Sequence, residues 1–183
     1  MNKIKTETER LVIRRFVPED GEDLYQYLSL PEVVLYEPYP VFSKEDCFRE
    51  ALRRYEEKDN NAFWAVCLKH NNKMIGHLYF KQVELEHFMT WTLGYVFNPN
   101  YYSQGYATES ARRILQYGFE ELHCHRIIAG ADIRNTASWR LLERLGMRRE
   151  AHMLQNATFK RTEDGEPIWV DSYHYAILAS EWM

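Results

Sequence analysis

Residues 98–109 read NPNYYSQGYATE and stand between two segments of different hydrophobic periodicity. The segment before them, residues 89–97 (MTWTLGYVF), alternates as a strand does. The segment after them spaces its apolar residues for one stripe of a helix: Ala107, Ala111, Ile114, Leu115, Gly118 and Leu122. The sequence therefore predicts a strand, a short turn with one glycine, and a long helix.

The predicted turn has the geometry of an anion site. A chain entering a helix points several backbone N–H groups and the positive end of the helix dipole at one place, and this attracts phosphate. The single glycine, Gly105, is a weaker signal than a P-loop or a GxGxxG fingerprint. Two interpretations stay open for this stretch alone. It is a phosphate-binding turn, or Gly105 only lets the chain enter the helix.

Composition limits the class of protein. A chain of 183 residues is long enough for one well-packed domain and short for two. Hydrophobic residues make up 45% and charged residues 27%, which is typical of a globular protein. The net charge is −4, so we expect no direct nucleic-acid binding, which needs a basic face.

The sequence also predicts a compartment. Its first ten residues, MNKIKTETER, lack the apolar core of a signal peptide, and no apolar run reaches membrane-spanning length. The three cysteines, Cys47, Cys67 and Cys124, are odd in number and scattered, as expected for reduced thiols. We therefore expect a cytoplasmic protein without a membrane partner.

Periodicity along the rest of the chain predicts one α/β domain with a mixed sheet. Strands are expected at residues 10–17, 62–68, 74–83, 126–131, 150–159 and 168–178. Helices are expected at residues 19–30, from an N-cap at Ser43 to about residue 59, and from an N-cap at Asn135 to Gly146. Residues 34–42 (VLYEPYPVF) form an aromatic loop between prolines, and residues 160–167 a polar one.

An ordered set of motifs covers nearly the whole chain: TERL at 8–11, GYATE at 105–109, NTAS at 135–138, LGM at 145–147 with Glu150, WVD at 169–171 and YAIL at 175–178. In this set the chain resembles the GNAT superfamily of acetyl-CoA-dependent N-acetyltransferases, particularly the branch that acetylates N-terminal amines of ribosomal proteins. The resemblance implies a single domain over residues 1–183 with its motif-bearing core at 8–180. It further implies an α/β fold with a mixed, mostly antiparallel sheet of about seven strands, a splayed central strand, and helices on both faces.

The resemblance implies acetyl-CoA as co-substrate. The backbone N–H groups expected to hold its pyrophosphate are those of Ser103, Gln104, Gly105, Tyr106, Ala107 and Thr108. The backbone of Val96, Phe97 and Asn98 is expected to pair with the pantetheine arm. In this branch a serine at the position of Ser138 donates a hydrogen bond to the coenzyme A sulfur, with Asn135 one helical turn before it. For Ser138 the alternative interpretation is a first-turn serine that helps to cap the helix. Asn135 is expected to contact the pantetheine arm, and this is compatible with capping its helix.

Three departures from the family pattern bear on the chemistry. Asn100 and Ser103 replace the expected first residue and first glycine of the phosphate loop, and Ser103 costs about 1 kcal/mol if its φ is positive. Thr92 stands where relatives carry a glutamate base, and Leu142 where many carry a tyrosine acid. Ser138 and Asn135 are the remaining catalytic candidates.

The acceptor pocket is expected to take one wall from the aromatic loop. Tyr36, Glu37, Tyr39 and Phe42 are its candidates, and two further pocket candidates are His77 and Thr92. Glu37 and His77 are weak candidates for a base, each more typical of a surface or packing residue. We therefore expect no dominant side-chain base, so the acceptor's own pKa would govern the pH profile.

Two functions remain open at this stage. The first is acetyl transfer to a primary amine, either a protein N-terminus or a small molecule, by direct attack in a ternary complex. The second is a coenzyme A-binding module without catalysis, which the losses at Thr92 and Leu142 favour. The oligomeric state is open between a monomer and a homodimer. The close spacing of residues 123–125 (HCH), without a second cluster, argues against a metal site.

Overall fold

Eight strands form one sheet over residues 5–57, 62–83 and 85–182, which the computed structural model describes, in the order β1-β2-β3-β4-β5-β6-β8-β7. The strands are β1 (Lys5–Glu7), β2 (Leu11–Arg14), β3 (Phe63–Leu68), β4 (Met74–Gln82), β5 (Thr90–Phe97), β6 (Arg126–Asp132), β7 (Arg148–Arg161) and β8 (Pro167–Leu178). The helices are α1 (Gly21–Leu28), α2 (Lys44–Glu56), α3 (Tyr106–Glu120) and α4 (Thr136–Arg144). The strand beyond the predicted seven is β1, whose sequence KTE is too short and polar for a periodic signal.

Pairing confirms a mixed and mostly antiparallel sheet. Six of the seven neighbouring pairs are antiparallel, and only β5 and β6 run parallel. Strands β5 and β6 pair only where residues 90–92 face residues 126–128, although both strands continue beyond. The predicted splay of the central strand is therefore present, and it begins after Thr92.

Helices cover both faces of the sheet, as predicted. Strand β5 therefore contributes alternate side chains to two cores, one on each face. Leu93 packs in one core with residues of α3 and α4, such as Ile114 and Leu141. Val96 packs in the other core with residues of α1 and α2, such as Leu24. None of the described helices is both long and apolar enough to cross a membrane.

The predicted capping residues of α2 and α4 are confirmed. Ser43 caps α2, since its Oγ accepts from the Asp46 N–H at 3.1 Å. Asn135 caps α4, since its Oδ1 accepts from the Ser138 N–H at 3.1 Å. Gly146 follows α4 with φ of 82°. Helix α2 ends at Glu56, and the predicted end near residue 59 lies outside the described residues.

Gly76 allows β4 and β5 to approach closely at the splayed region. A Cβ at Gly76 would lie 2.5 Å from Phe97 Cδ1 and 2.7 Å from the Val96 carbonyl oxygen. At Gly94, in the same strand pair, a Cβ would come only to 3.4 Å from the Tyr79 Cβ. The two glycines therefore differ in the space that a methyl group would find.

We predict that Gly76→Ala lowers the free energy of unfolding by about 1–3 kcal/mol, because the backbone must move to relieve the overlap. Gly94→Ala, the matched control, should change it by less than about 0.5 kcal/mol. Urea denaturation of both variants measures the difference. Equal midpoints for the two would contradict this account of the β4–β5 approach.

Candidate active site

The splay of β5 from β6 opens a cleft of about 940 Å³. A cleft of this size lies within the range that holds cofactors and other small-molecule ligands. Its walls come from β5 and the turn after it, from β6 and β8, from the start of α4, and from the loop after α1. The residues that line it include Tyr36, Glu37, Tyr95, Phe97, Ser103, Gly105, Tyr106, Ala107, Thr108, Asp132, Asn135 and Ser138.

The turn before α3 presents unpaired backbone donors at one end of the cleft. Ser103 has φ of 59° and Gly105 has φ of 83°, so both adopt the left-handed conformation. The first α-helical hydrogen bond of α3 runs from the Glu109 N–H to the Gly105 carbonyl at 3.0 Å. The N–H groups of residues 106–108 precede this bond and therefore have no acceptor within the helix. The positive φ of Ser103 costs about 1 kcal/mol, as a serine at a glycine position would.

Arg10 braces this turn from outside. Its Nη1 donates to the Gln104 carbonyl at 3.1 Å and its Nε to Glu109 Oε2 at 2.7 Å. Its guanidinium lies 4.4 Å from the centre of the Tyr106 ring. Thr8 Oγ1 donates to Glu109 Oε1 at 2.5 Å. The TERL motif at residues 8–11 thus supports the turn, a role that its sequence alone did not indicate.

The Glu109 carboxylate is stabilised as an anion in this cluster. Burial raises its pKa, but the hydrogen bonds from Thr8 and Arg10 more than offset this effect and lower the pKa below its usual value. The bridge between Arg10 and Glu109 therefore holds at neutral pH. It ties the N-terminal segment to the first turn of α3.

The peptide groups of β5 alternate between its two edges, and this alternation corrects two predicted contacts. The Asn98 N–H donates to the Ile75 carbonyl of the β4 side at 2.9 Å, and the Asn98 carbonyl accepts from Tyr101 at 3.0 Å. Val96 shares the parity of Asn98, so its peptide groups also face β4. The expectation that Val96 and Asn98 bond to a ligand through the backbone is therefore wrong. Phe97 keeps the expected orientation toward the gap, and Tyr95 shares it.

Ser138 and Asn135 come together at the start of α4. Both line the cleft, and the Asn135 amide holds the Ser138 N–H as the cap of the helix. The Tyr95 hydroxyl lies 3.0 Å from Ser138 Oγ and 2.9 Å from the Ser138 carbonyl oxygen. Burial raises the pKa of Tyr95, although the Ser138 hydrogen bond partly offsets it, so the phenol stays protonated.

Tyr95 is the functional candidate that sequence reasoning missed. It lies on the same side of β5 as Leu93 and Phe97, and it reaches across the splay to α4. The signal was present in the alternation of MTWTLGYVF, in which Tyr95 stands two residues before Phe97. Leu142, the position of the expected tyrosine, is fully buried in the core and does not line the cleft.

Only part of the predicted acceptor wall lines the cleft. Tyr36 and Glu37 do so, while Tyr39 and Phe42 pack against each other with ring centres 5.5 Å apart, beside the core of α1 and α2. Thr92 lies in the paired part of the sheet, between Lys81 and Ile128, and is not part of the cleft lining. The prediction that Tyr39, Phe42 and Thr92 line the acceptor pocket is therefore wrong, because none of the three lines the cleft.

His77 also lies away from the cleft. Its ring is buried, with Nδ1 at 2.7 Å from the Tyr27 hydroxyl. Burial, assisted by the charge of Arg54, lowers the pKa of His77 well below its usual value, so the ring is neutral. It is a core residue rather than a pocket residue.

The two carboxyl groups among the described lining residues have opposite environments. Burial raises the pKa of Glu37 to about 7, and the Tyr39 hydroxyl and the Lys160 ammonium limit the rise. Burial also raises the pKa of Asp132, but hydrogen bonds from Arg134, at 2.6 Å and 2.9 Å from its side chain, lower it overall. Asp132 is therefore a paired anion, whereas Glu37 titrates close to neutrality.

Thiols and metals add no reactive group to the described part of the site. Cys47, Cys67 and Cys124 are all buried and free. Burial raises the pKa of Cys124 to about 12, so it stays a thiol at neutral pH. Within the ranges that the structure describes, no three His, Cys, Asp or Glu side chains come together in a way that could hold a metal ion.

The residues present fit acetyl-CoA. The turn offers unpaired N–H groups and a helix N-terminus for a pyrophosphate. The gap side of β5 offers the peptide groups of Tyr95 and Phe97 to an amide-bearing chain, and the Ser138 hydroxyl lies at the side of the cleft formed by α4.

Comparison with known proteins agrees with this geometry. The sequence profile described as "Acetyltransferase (GNAT) domain" matches residues 10–148. The uncharacterized N-acetyltransferase YnaD of Bacillus subtilis (strain 168) is 41% identical over 175 residues, which span 96% of this chain and 97% of that protein. The crystal structure of a GNAT-family acetyltransferase from Bacillus anthracis superposes with a TM-score of 0.87 at 37% identity, covering 97% of this chain and 99% of that one.

A more distant neighbour is the spermidine N-acetyltransferase from Vibrio cholerae, whose crystal structure contains CoA and spermine. It superposes with a TM-score of 0.77 over 95% of this chain and 98% of that chain, at 18% identity, which is evidence for the fold alone. The profile covers most of this chain and the Bacillus subtilis relative nearly all of it. The chain is therefore an acyltransferase that belongs to the GNAT acetyltransferase family.

Proposed function

We propose that this acyltransferase moves the acetyl group of acetyl-CoA to a primary amine by direct attack within a ternary complex. One observation carries the proposal. The splay after Thr92 aligns the phosphate-type turn, the free edge of β5 and the Ser138 hydroxyl along one cleft. Direct attack forms no covalent enzyme intermediate. The Cys124 thiol is buried and its pKa is raised, so it is poorly suited to act as a nucleophile.

The turn is the proposed pyrophosphate site. The N–H groups of residues 103–108 would hold the phosphate oxygens, with the dipole of α3 adding to the attraction. The peptide groups of Tyr95 and Phe97 would pair with the pantetheine arm as an added strand would. A backbone N–H at this edge would also stabilise the oxyanion that forms on the thioester carbonyl.

Ser138 is the proposed donor to the departing thiolate, and Tyr95 is a positioning residue for it. The phenol has one hydrogen, which the Ser138 carbonyl accepts at 2.9 Å. The phenol oxygen can then accept from Ser138 Oγ at rest, at 3.0 Å. When negative charge develops on the sulfur, the Ser138 hydroxyl hydrogen can turn to it.

The acceptor is a primary amine that reaches the cleft beside Tyr36 and Glu37. An aromatic face and a carboxylate both suit a cationic amine. The branch that the sequence resembles acetylates protein N-termini, and the spermidine N-acetyltransferase neighbour is named for a small polyamine, so both acceptor types are candidates.

Amine-dependent thiol release from acetyl-CoA, with N-terminal peptides and small polyamines as the panel, tests the proposal. Tight acetyl-CoA binding without thiol release for any amine would favour a non-catalytic binding module instead.

Gly105→Val should raise the acetyl-CoA Kd at least about tenfold, or about 1.4 kcal/mol, because a branched side chain blocks the turn and disfavours its φ. The matched control is Gly165→Val, in the hairpin between β7 and β8. Gly165 has almost the same φ, 84°, and no atom lies within 4 Å of its would-be Cβ. Both variants share the backbone strain, so isothermal titration with acetyl-CoA isolates the binding effect. Equal affinities would exclude the turn as the pyrophosphate site.

Ser138→Ala should lower kcat by about ten- to a thousandfold and leave the acetyl-CoA affinity nearly unchanged, because the lost hydrogen bond is strongest in the transition state. Tyr95→Phe should lower kcat by a smaller factor, since Ser138 keeps its hydroxyl but loses its orientation. Steady-state thiol release, with acetyl-CoA titration as the control, measures both. A Ser138→Ala enzyme with normal kcat would remove Ser138 from the mechanism.

A further inference from the structure

We propose that the Glu37 carboxylate is the general base, which accepts the proton that the acceptor's ammonium loses before its nitrogen attacks the thioester. The inference rests on the acetyl transfer proposed above and names the residue that makes the amine reactive. It replaces the sequence-based expectation that no side chain acts as a dominant base.

The position of Glu37 is the first argument. It lines the cleft on the loop after α1, and its neighbours Tyr36 and Pro38 line the cleft with it. Burial raises the pKa of the Tyr95 and Tyr102 phenols. The charge of Glu37 raises the pKa of Tyr95 further, and the charges of Glu32 and then Glu37 raise that of Tyr102. Both phenols line the same cleft as Glu37, and Tyr95 is hydrogen-bonded to Ser138, which also lines it. The proposed base and the proposed thiolate donor therefore line one cleft.

The other carboxylate of the described cleft lining, Asp132, is already bound by an arginine. The Asp132 carboxylate accepts three hydrogen bonds from Arg134: from Nε at 2.9 Å, from Nη2 at 2.6 Å and from the backbone N–H at 2.9 Å. A carboxylate held this way has a lowered pKa and little tendency to take a proton. Among the cleft-lining residues that the structure describes, this leaves Glu37 as the carboxylate suited to proton transfer.

The surroundings of Glu37 set when it can act. Burial raises its pKa to about 7, with the Tyr39 hydroxyl and Lys160 as the opposing influences. Lys160 Nζ donates to the Tyr39 carbonyl at 3.1 Å, so this ammonium is anchored to the same loop. The charge of Glu32 acts on Tyr102 beside that of Glu37. Other charged or titratable residues that line the cleft include Tyr95, Tyr102, Asp132, Arg140, Arg144 and His174. A base with a pKa close to the operating pH combines an available carboxylate with useful proton affinity.

The proton balance of the step is complete. An N–H bond of the ammonium breaks and its proton moves to a Glu37 carboxylate oxygen. The neutral nitrogen uses its electron pair to form the C–N bond. The C–S bond then breaks, the sulfur keeps that electron pair, and it takes the remaining excess proton of the nitrogen, with Ser138 as hydrogen-bond donor. Protonated Glu37 finally releases its proton to solvent.

The test compares acceptors that differ in amine pKa. Wild-type kcat should rise with pH and level off near pH 7, because the carboxylate form is the active one. This break should stay at the same pH when the acceptor amine's pKa is changed. A break that moves with the acceptor's pKa would overturn the proposal, and this measurement needs no variant.

The variant Glu37→Gln keeps the shape of the side chain and removes its basicity. At pH 7 it should lower kcat by at least about a hundredfold for ammonium acceptors. Its rate should continue to rise toward the acceptor's own pKa. With an alkoxyamine analogue of the best acceptor, which is already neutral at pH 7, the variant should stay within about threefold of wild type. The matched control is Glu32→Gln, which makes the same charge change at an exposed position of the same segment and should leave kcat unchanged.

Two results for the variant would overturn the proposal. Normal kcat with ammonium acceptors would show that no proton passes through Glu37. An equal loss with the alkoxyamine would show a merely structural role. A failure of the proposed acetyl transfer looks different, because the wild-type enzyme would then release no thiol with any amine.

Discussion

The structure depends on the point where two parallel strands stop pairing. Strand β5 pairs with β4 throughout, and β6 pairs with β8 throughout, but β5 and β6 meet only over residues 90–92 and 126–128. Each strand is therefore fixed on its outer edge while its inner edge is free. An unpaired buried peptide group costs about 1–3 kcal/mol. The gap is therefore suited to water or to a ligand that itself offers amide donors and acceptors.

The rims of this gap are fixed by contacts distant in sequence. Arg10 and Thr8 hold Glu109, which fixes the turn before α3 against the N-terminal segment. On the other side, the Tyr95 hydroxyl bridges from β5 to Ser138 on α4. Both contacts join residues that are distant in sequence. The first joins the N-terminal segment to α3, and the second joins β5 to α4. A ligand therefore meets a preformed cleft, which lowers the conformational cost of binding.

Local geometry explains what the sequence could predict. Gly105, the Asn135 cap and the alternation of residues 89–97 each depend on a few neighbouring residues, and all three are as expected. The resemblance extended these to the fold, including the splay. Errors arose where a residue's position depends on strand parity or on a distant partner. Val96 and Asn98 were assigned to the wrong edge of β5, and His77 is held by Tyr27, 50 residues away in sequence.

The residue type at position 92 bears on where a base could come from in this protein. Thr92 carries no carboxylate, and it lies in the paired part of the sheet between Lys81 and Ile128, outside the cleft lining. Glu37 lines the cleft from the loop after α1, whose Tyr39 carbonyl accepts a hydrogen bond from Lys160 of β7. The separation between Glu37 and Ser138 is therefore set by this loop rather than by the sheet. Because proton transfer requires close approach to the acceptor nitrogen, the contact between Lys160 and the loop becomes part of what orients the base.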